Sequence, residues 1–118
     1  MPKLTRIAPE LSASDLQASL GYYQQKLEFQ IAMEMPDRSY AIVERDDIAI
    51  HLFEDKSHSP VSIQIFTSEI DALYTELQQR DVQFFQKIER KPWGNRDFRL
   101  RDPAGNELKF TEPLPDAD

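Results

Sequence analysis

Apolar residues along the chain form two helical stripes of the same design. Each stripe places its members three or four positions apart, which is the spacing of one face of an α-helix. The stripes are Leu16, Leu20, Tyr23 and Leu27 in the first half, and Ile70, Leu73, Tyr74 and Leu77 in the second. Ser14 and Ser68 precede the stripes and predict helix N-caps. Three members of the first stripe recur 54 positions later, as Leu16 does in Ile70, so the two helices are predicted to be equivalent.

Alternating apolar and polar runs on both sides of each helix predict β-strands. One such run precedes each helix, at Leu4–Leu11 and Val61–Phe66, and three follow it. The following runs are 29–34, 39–44 and 48–53 in the first half, and 83–87, 97–100 and 107–111 in the second. The chain therefore reads β-α-β-β-β twice. We predict an α+β fold, a single domain over residues 1–118, with one βαβββ module in 1–56 and another in 60–113.

Composition and charge narrow the classes of partner. The net charge of −7 disfavours nucleic acid and anionic membrane surfaces, which bind clusters of Lys and Arg. No apolar run is long enough to predict a transmembrane helix. The absence of cysteine excludes disulfides and thiolate metal sites, and it fits a cytoplasmic protein. The charge either attracts cationic partners or maintains solubility, and composition leaves both interpretations open. The acidic end, Leu114 to Asp118, is predicted to be a loose tail.

Three passages carry a resemblance to a known superfamily. They are Ser14-Asp15-Leu16 with Gly21-Tyr22-Tyr23, then Leu27-Glu28-Phe29, and Arg101-Asp102-Pro103-Ala104-Gly105-Asn106. These passages resemble the vicinal oxygen chelate superfamily, which includes glyoxalase I, extradiol dioxygenases and bleomycin resistance proteins. Lys3-Leu4-Thr5 and Pro92-Trp93-Gly94 are similar to the first strand and the drug-binding loop of the bleomycin resistance proteins. The resemblance implies a cupped mixed sheet and a homodimer in which the first strand is exchanged between chains.

The resemblance also locates the metal site of the superfamily's enzymes, which hold a divalent cation with His and Glu from both halves. By motif position, the four ligand sites fall at Ala8, His51, Val61 and Lys109. Only His51 could be a ligand, whereas a catalytic metal usually has about three protein ligands. We therefore predict no metal, no cofactor and no enzymatic activity. His51 is then either an ordinary polar residue on a strand or a contact to the ligand. His58, between the modules, is predicted to be a solvated loop residue.

Trp93 is the strongest candidate for a ligand contact. It is the only Trp, and it lies in a Pro-Gly loop where a flat aromatic side chain can stack on a planar ligand. Gly94 lets a ligand approach the backbone closely. The resemblance implies the stacking role, because the matching Trp of bleomycin resistance proteins stacks on the drug. A packing role for Trp93 is the alternative.

Further residues are predicted to line the binding site. Tyr40 matches an aromatic lining position of the resistance proteins, with a strand aromatic in the core as the alternative. Phe66 and Gln64 are two residues apart in a predicted strand and therefore share a face. Some resistance proteins carry aromatic drug contacts at both positions, and Gln64 departs from that pattern. Asp37, with nearby glutamates, would provide a negative field for a cationic ligand.

These features predict a protein that binds and sequesters antibiotics of the bleomycin family, giving resistance without making or breaking a bond. One alternative is a binder of another small aromatic or cationic molecule on the same scaffold. Another is a metal-dependent, glyoxalase-like or dioxygenase-like enzyme with unusual ligands, which the missing metal ligands disfavour.

Overall fold

The computed structural model of the protein describes residues 2–113, so the predicted tail at 114–118 lies outside the described residues. Its elements follow the order predicted from the pattern. The first module contains β1 (Glu10–Ala13), α1 (Leu16–Gln25), β2 (Gln30–Glu34), β3 (Tyr40–Arg45) and β4 (Ile48–Glu54). The second contains β5 (Ser62–Phe66), α2 (Ile70–Gln79), β6 (Phe84–Arg90), β7 (Arg96–Arg101) and β8 (Glu107–Glu112). Neither of these helices is long and apolar enough to cross a membrane.

Each module folds into one four-stranded mixed sheet. The strand orders are β1-β4-β3-β2 and β5-β8-β7-β6, so the two sheets have the same topology. In each sheet the first strand pairs in parallel with the last, because the connecting helix returns the chain to the same end. The remaining neighbours are antiparallel. The prediction of an α+β fold with two βαβββ modules is confirmed.

One hydrophobic core serves both modules and lies on the helix side of the sheets. Its buried residues include Tyr23 and Leu27 from the first stripe and Ile70 and Leu77 from the second. Alternate residues of the strands point the other way, so each sheet also has an outer face, directed away from its helix. The outer faces carry polar and partly exposed side chains, including the predicted site residues Tyr40, His51 and Gln64.

The glutamate that ends each module's last strand reaches back to the start of its helix. The backbone N–H of Leu16 donates to Glu54 Oε1 at 3.2 Å, and that of Ile70 donates to Glu112 Oε1 at 3.0 Å. A carboxylate is favourable there, because a helix N-terminus has unpaired N–H groups and partial positive charge. These equivalent contacts give the internal repeat a physical basis beyond the apolar stripes.

In both helices the observed N-cap lies one residue after the predicted one. Asp15 is the N-cap of α1, where its side chain accepts a hydrogen bond from the N–H of Ala18, and Ser14 lies before it. Glu69 is the N-cap of α2, and its side chain makes no capping bond. Ser68 is not needed as a cap, since a strand glutamate already satisfies the first N–H of that helix.

The first strand is shorter than predicted. β1 begins at Glu10, and residues 2–9 form an N-terminal arm outside regular structure, so the predicted strand Leu4–Leu11 was wrong for most of its length. The side chains of Leu4 and Ile7 are 103% and 95% exposed. Within one chain these apolar residues have no surface to cover, although their pattern is that of a strand.

A buried polar network joins the two modules through Asp102, which is 4% exposed. Its Oδ2 accepts hydrogen bonds from the Tyr23 hydroxyl at 2.8 Å and from the Asn106 side chain at 3.1 Å. The Asn106 side chain also donates to the backbone oxygen of Ser12 at 3.0 Å. Burial and then the Asp102 carboxylate raise the pKa of Tyr23 well above its usual value, so its hydroxyl remains a donor. We call Ser12, Tyr23, His58, Asp102 and Asn106 the inter-module network.

His58 belongs to this network, so the prediction of a solvated loop residue was wrong. Its Nε2 lies 2.6 Å from the backbone oxygen of Ala104, and its Nδ1 lies 2.6 Å from the hydroxyl of Ser12. Because a carbonyl oxygen only accepts, Nε2 carries the proton and Nδ1 accepts from the serine. The linker is thereby attached to both modules.

We expect Tyr23→Phe to lower the free energy of unfolding by about 1–3 kcal/mol, because it removes one hydrogen bond to a buried carboxylate. Chemical denaturation provides the measurement. The matched control is Tyr74→Phe, since Tyr74 packs against the same core without a hydrogen bond to its hydroxyl among the described residues. The control should change stability by less than about 0.5 kcal/mol. Equal effects of the two variants would argue against a special role for the network.

Candidate ligand-binding site

The predicted site residues divide between the two outer faces and their adjoining turns. Asp37, Tyr40 and His51 belong to the first sheet, and Gln64, Phe66, Trp93 and Gly94 belong to the second. Among residues 2–113, no hydrogen bond, ion pair or ring contact joins one group to the other. Within one chain, the predicted site residues therefore form two separate groups, which we call half-sites.

Tyr40 and His51 meet on the outer face of the first sheet, together with Glu10. The Tyr40 hydroxyl lies 2.9 Å from Glu10 Oε2 and 2.6 Å from His51 Nδ1. The register of the sheet places Glu10 directly beside His51, on neighbouring parallel strands. We call the three hydrogen-bonded side chains of Glu10, Tyr40 and His51 the acceptor chain, because the atoms that they leave unpaired are hydrogen-bond acceptors.

An ionised carboxylate only accepts, so the Tyr40 proton points to Glu10. The tyrosine oxygen then accepts from His51 Nδ1, which must carry the ring proton. Burial, followed by Glu10, raises the pKa of Tyr40 and keeps its hydroxyl protonated. His51 Nε2 is buried without a hydrogen-bond partner among the described residues. With the ring proton on Nδ1, the unpaired atoms of these three side chains are acceptors, namely carboxylate oxygen and the buried imidazole nitrogen.

Tyr40 lies outside the core, since its ring packs edge-on against His51 with centroids 5.8 Å apart. Its phenol oxygen is occupied by two partners, and the position is half-buried on the outer face. This arrangement disfavours the alternative of a core aromatic. It also fixes the ring in one orientation, as a lining residue of a binding surface requires.

Asp37 lies in the turn between β2 and β3 and is exposed. Its Oδ1 accepts hydrogen bonds from the Ser39 hydroxyl at 2.7 Å and from the Ser39 N–H at 3.0 Å. These bonds lower the pKa of the Asp37 carboxyl, so it is ionised at neutral pH. Asp37 is therefore a negative charge at the edge of the face that carries the acceptor chain.

Trp93 is presented on a tight turn between β6 and β7. The turn is closed by hydrogen bonds from the Gly94 N–H to the Lys91 oxygen and from the Lys91 N–H to the Asn95 oxygen. Gly94 has a φ of 101°, in the left-handed region that favours glycine. The Trp93 side chain is 63% exposed, which disfavours the packing alternative. Such exposure of the sole Trp is typical of a contact surface.

Gln64 and Phe66 point outward from β5, as their spacing predicted. Phe66 is 58% exposed, whereas Ile65 between them is buried. The Gln64 side-chain oxygen accepts a hydrogen bond from the Thr111 hydroxyl at 2.8 Å. The Gln64 amide is therefore oriented with its nitrogen available to a ligand.

The residues at the superfamily's metal positions fit a cation poorly. Lys109 itself carries a positive charge, and its ammonium lies 3.9 Å from Asp97 Oδ2. Its neighbour across the parallel pair is Gln64. No group of three or more His, Cys, Asp or Glu residues within 2–113 is arranged to hold a metal ion. The chemistry of this donor set gives no support to a metal-dependent reaction.

A separate groove of about 450 Å³ lies between the two modules, on the helix side of the sheets. Its walls include Leu27, Asp47, Ile65, Phe66 and Glu69. Of the predicted site residues, only Phe66 lines it. The groove is therefore distinct from the two outer faces.

Glu10 is the functional candidate that the sequence pattern missed. It lies next to Leu11 in the chain and shows no motif of its own. Its importance comes from the parallel pairing of β1 with β4, which brings it beside a residue 41 positions away, as the pairing Glu10↔His51 records. A register of this kind cannot be deduced from local alternation.

Comparison with known proteins agrees with this architecture. Residues 3–110 match the profile of the Glyoxalase/Bleomycin resistance protein/Dioxygenase superfamily, and the chain belongs to this superfamily. No curated protein sequence matches it significantly.

Solved structures similar to the chain include a bleomycin-binding protein and a lyase. TioX from Micromonospora sp. ML1 is 17% identical with a TM-score of 0.82, covering 93% of this chain and 99% of its own. Bleomycin-binding protein from Streptomyces verticillus, complexed with copper(II)-bleomycin, is 26% identical with a TM-score of 0.77, covering 97% and 100%. Lactoylglutathione lyase from Agrobacterium tumefaciens is 19% identical with a TM-score of 0.78, covering 95% and 96%. At such identities, the likeness to TioX and to the lyase shows a shared fold alone.

The two histidines provide a direct test of the acceptor chain. We expect neutral His51 to carry its proton on Nδ1 and neutral His58 on Nε2, because their partners differ in kind. Nitrogen NMR of the imidazole rings distinguishes the two tautomers. Tyr40→Phe removes the partner of His51 Nδ1 and should shift His51 toward the other tautomer while leaving His58 unchanged. Nε2 protonation of His51 in the unaltered protein would contradict the assignment.

Proposed function

We propose that the protein binds bleomycin-family glycopeptide antibiotics, or a close chemical analogue, and sequesters them without catalysis. The observation that carries the proposal is the presentation of Trp93 on a hydrogen-bonded turn, with most of its ring exposed. An exposed indole can stack on a flat ligand such as a bithiazole. The similarity to a bleomycin-binding protein over the whole fold supports this assignment. Resistance by sequestration, in the cytoplasm, is part of the proposal.

The acceptor chain supplies the second element of ligand recognition. A cationic tail is attracted by Glu10 on the outer face of the first sheet and by the ionised Asp37 in the turn between β2 and β3. The bare Nε2 of His51 accepts from a donor once the side chains that cover it move. Acceptors in a partly desolvated cup discriminate in favour of ligands that carry N–H groups.

The binding cup in this proposal is formed by two chains. The inter-module network locks the modules of one chain side by side, and the two half-sites remain apart. A second chain can place its second sheet opposite the first sheet of its partner. The exposed N-terminal arm supports such a homodimer, because Leu4 and Ile7 bury apolar surface only against another molecule. An exchanged first strand is the arrangement we propose for that arm.

A second candidate is a binder of another small aromatic or cationic molecule on the same scaffold. Gln64 favours it, since its polar side chain stands where some bleomycin resistance proteins carry an aromatic drug contact. A metal-dependent lyase or dioxygenase is a weaker candidate. It would need a cation beside Lys109, where like charges repel.

Trp93→Ala should weaken bleomycin binding at least tenfold, because the stacking surface is lost. The measurement is calorimetric titration of metal-free and copper(II)-loaded bleomycin. Trp93→Phe is the matched variant and should retain more affinity than the alanine variant, since it keeps an aromatic face. Trp93 fluorescence reports on the same contact in the unaltered protein, because the chain has no other Trp. Unchanged affinity in Trp93→Ala would remove the stacking role.

A thermal-shift experiment separates the candidate functions. Stabilisation by bleomycin supports sequestration, since a ligand that binds the native state raises the unfolding temperature. Stabilisation by zinc or copper alone would instead support a metal-dependent enzyme and contradict the metal-free prediction.

Light scattering tests the homodimer. We expect a dimer for the unaltered chain and a monomer for the double variant Leu4→Asp with Ile7→Asp, because two charges then replace the apolar contacts of the arm. Thr5→Asp is the control, since it adds charge to the same arm and keeps both apolar side chains. A monomeric unaltered protein would contradict the two-chain cup.

A further inference from the structure

A row of polar side chains crosses the outer face of the second sheet. Gln64 pairs with Lys109 between β5 and β8, and Lys109 pairs with Arg99 between β8 and β7. Directly paired residues point to the same face of a sheet, about 5 Å apart. Gln64, Lys109 and Arg99 therefore form one continuous line, which we call the donor row.

The donors of this row are largely unused within the chain. The Lys109 ammonium makes no hydrogen bond to another described residue, and its only ion pair is the contact of 3.9 Å with Asp97. The Gln64 nitrogen is also without a partner, since only its oxygen is engaged by Thr111. Arg99 uses one amino group on Glu107 at 2.8 Å, and its Nε is buried without a partner.

A buried carboxylate beside the row, on the same face of the sheet, explains why Lys109 is held in place. Asp97 is fully buried, and it is approached by Lys109 at 3.9 Å and by Lys91 at 3.6 Å. Lys91 also pairs with Glu89, so Lys109 is the less neutralised of the two cations. The Lys109 side chain is 22% exposed, whereas the Asp97 side chain is 0% exposed. A molecule that approaches the outer face therefore meets the ammonium before the carboxylate.

The two sheets are equivalent in topology and opposite in chemistry. The row of the first sheet that contains Glu10 and His51 offers acceptors, and the row of the second that contains Gln64 and Lys109 offers donors. Both rows join the first strand of a module to its last strand. In a cup formed by the first sheet of one chain and the second sheet of another, one wall would present hydrogen-bond acceptors and the other would present donors.

We propose that the donor row is an oxyanion site, in which Lys109 and Gln64 bind a carboxylate or phosphate group of the ligand. One oxyanion can bridge two donors from paired residues of neighbouring strands, because each of its oxygens accepts from one of them. The inference goes beyond the proposed function and shares with it only the use of these outer faces as the walls of the cup. It extends the ligands of the cup to amphoteric small molecules, with a cationic group for Glu10 and an anionic group for Lys109.

Small aromatic probes test this site without reference to bleomycin. Benzoate and benzamide have the same shape and differ in charge, and inorganic phosphate presents the other oxyanion. NMR titration should show benzoate binding at least tenfold more tightly than benzamide, with the largest shifts at Gln64 and Lys109. A stronger effect of phosphate than of benzoate would assign the site to phosphorylated ligands.

Two lysine variants provide the matched comparison. Lys109→Met should abolish the preference for benzoate, and Lys109→Arg should retain it. Lys87→Met, on the exposed part of β6, should behave as the unaltered protein. Equal binding of benzoate and benzamide, or an equal loss in both methionine variants, would overturn the oxyanion site. If the unaltered protein does not bind bleomycin while the benzoate preference persists, the sequestration proposal fails and the oxyanion site stands.

Discussion

The buried carboxylate of Asp102 is the interaction on which the arrangement of the two modules depends. It accepts from Tyr23 of the first helix and from Asn106 of the second module, and Asn106 extends the contact to the backbone of β1. An ionised group that is almost fully buried is tolerated only with several hydrogen bonds, so its partners are constrained in distance and direction. The modules of one chain are thus held side by side around a common core, and their outer faces point away from it.

Because of this constraint, the residues that stabilise the fold and the residues available for binding lie on opposite sides of the sheets. The helix sides of the sheets are used for stability and are similar in the two modules, down to the equivalent glutamates on the helix N-termini. The outer faces differ between the modules, since the row through Glu10 and His51 carries acceptors and the equivalent row through Gln64 and Lys109 carries donors. Trp93 and Tyr40 can contribute to one site only if a second chain brings the faces together. The superfamily's own description joins a glyoxalase, a resistance protein and a dioxygenase, so one fold carries different functions.

Local pattern was sufficient for much of this structure. Apolar spacing and turn residues predicted both helices and the number of strands, since these features depend on neighbouring residues alone. Long-range pairing was not predictable in the same way. Glu10 was missed because its role arises from strand register, and His58 was misjudged because its partners come from two distant segments. The arm around Leu4 was predicted as a strand because its pattern suits one, whereas a single chain provides nothing for it to pack on.

Complementation between two damaged chains tests the two-chain cup most directly. A heterodimer is prepared from one chain with Tyr40→Ala and another with Trp93→Ala, using different affinity tags, and is titrated with bleomycin. If each cup combines the first sheet of one chain with the second sheet of its partner, one cup of the heterodimer has both residues intact. The account predicts one site per heterodimer with the affinity of the unaltered protein, although both parent homodimers bind weakly. A heterodimer in which both sites bind as weakly as those of its parents would contradict it.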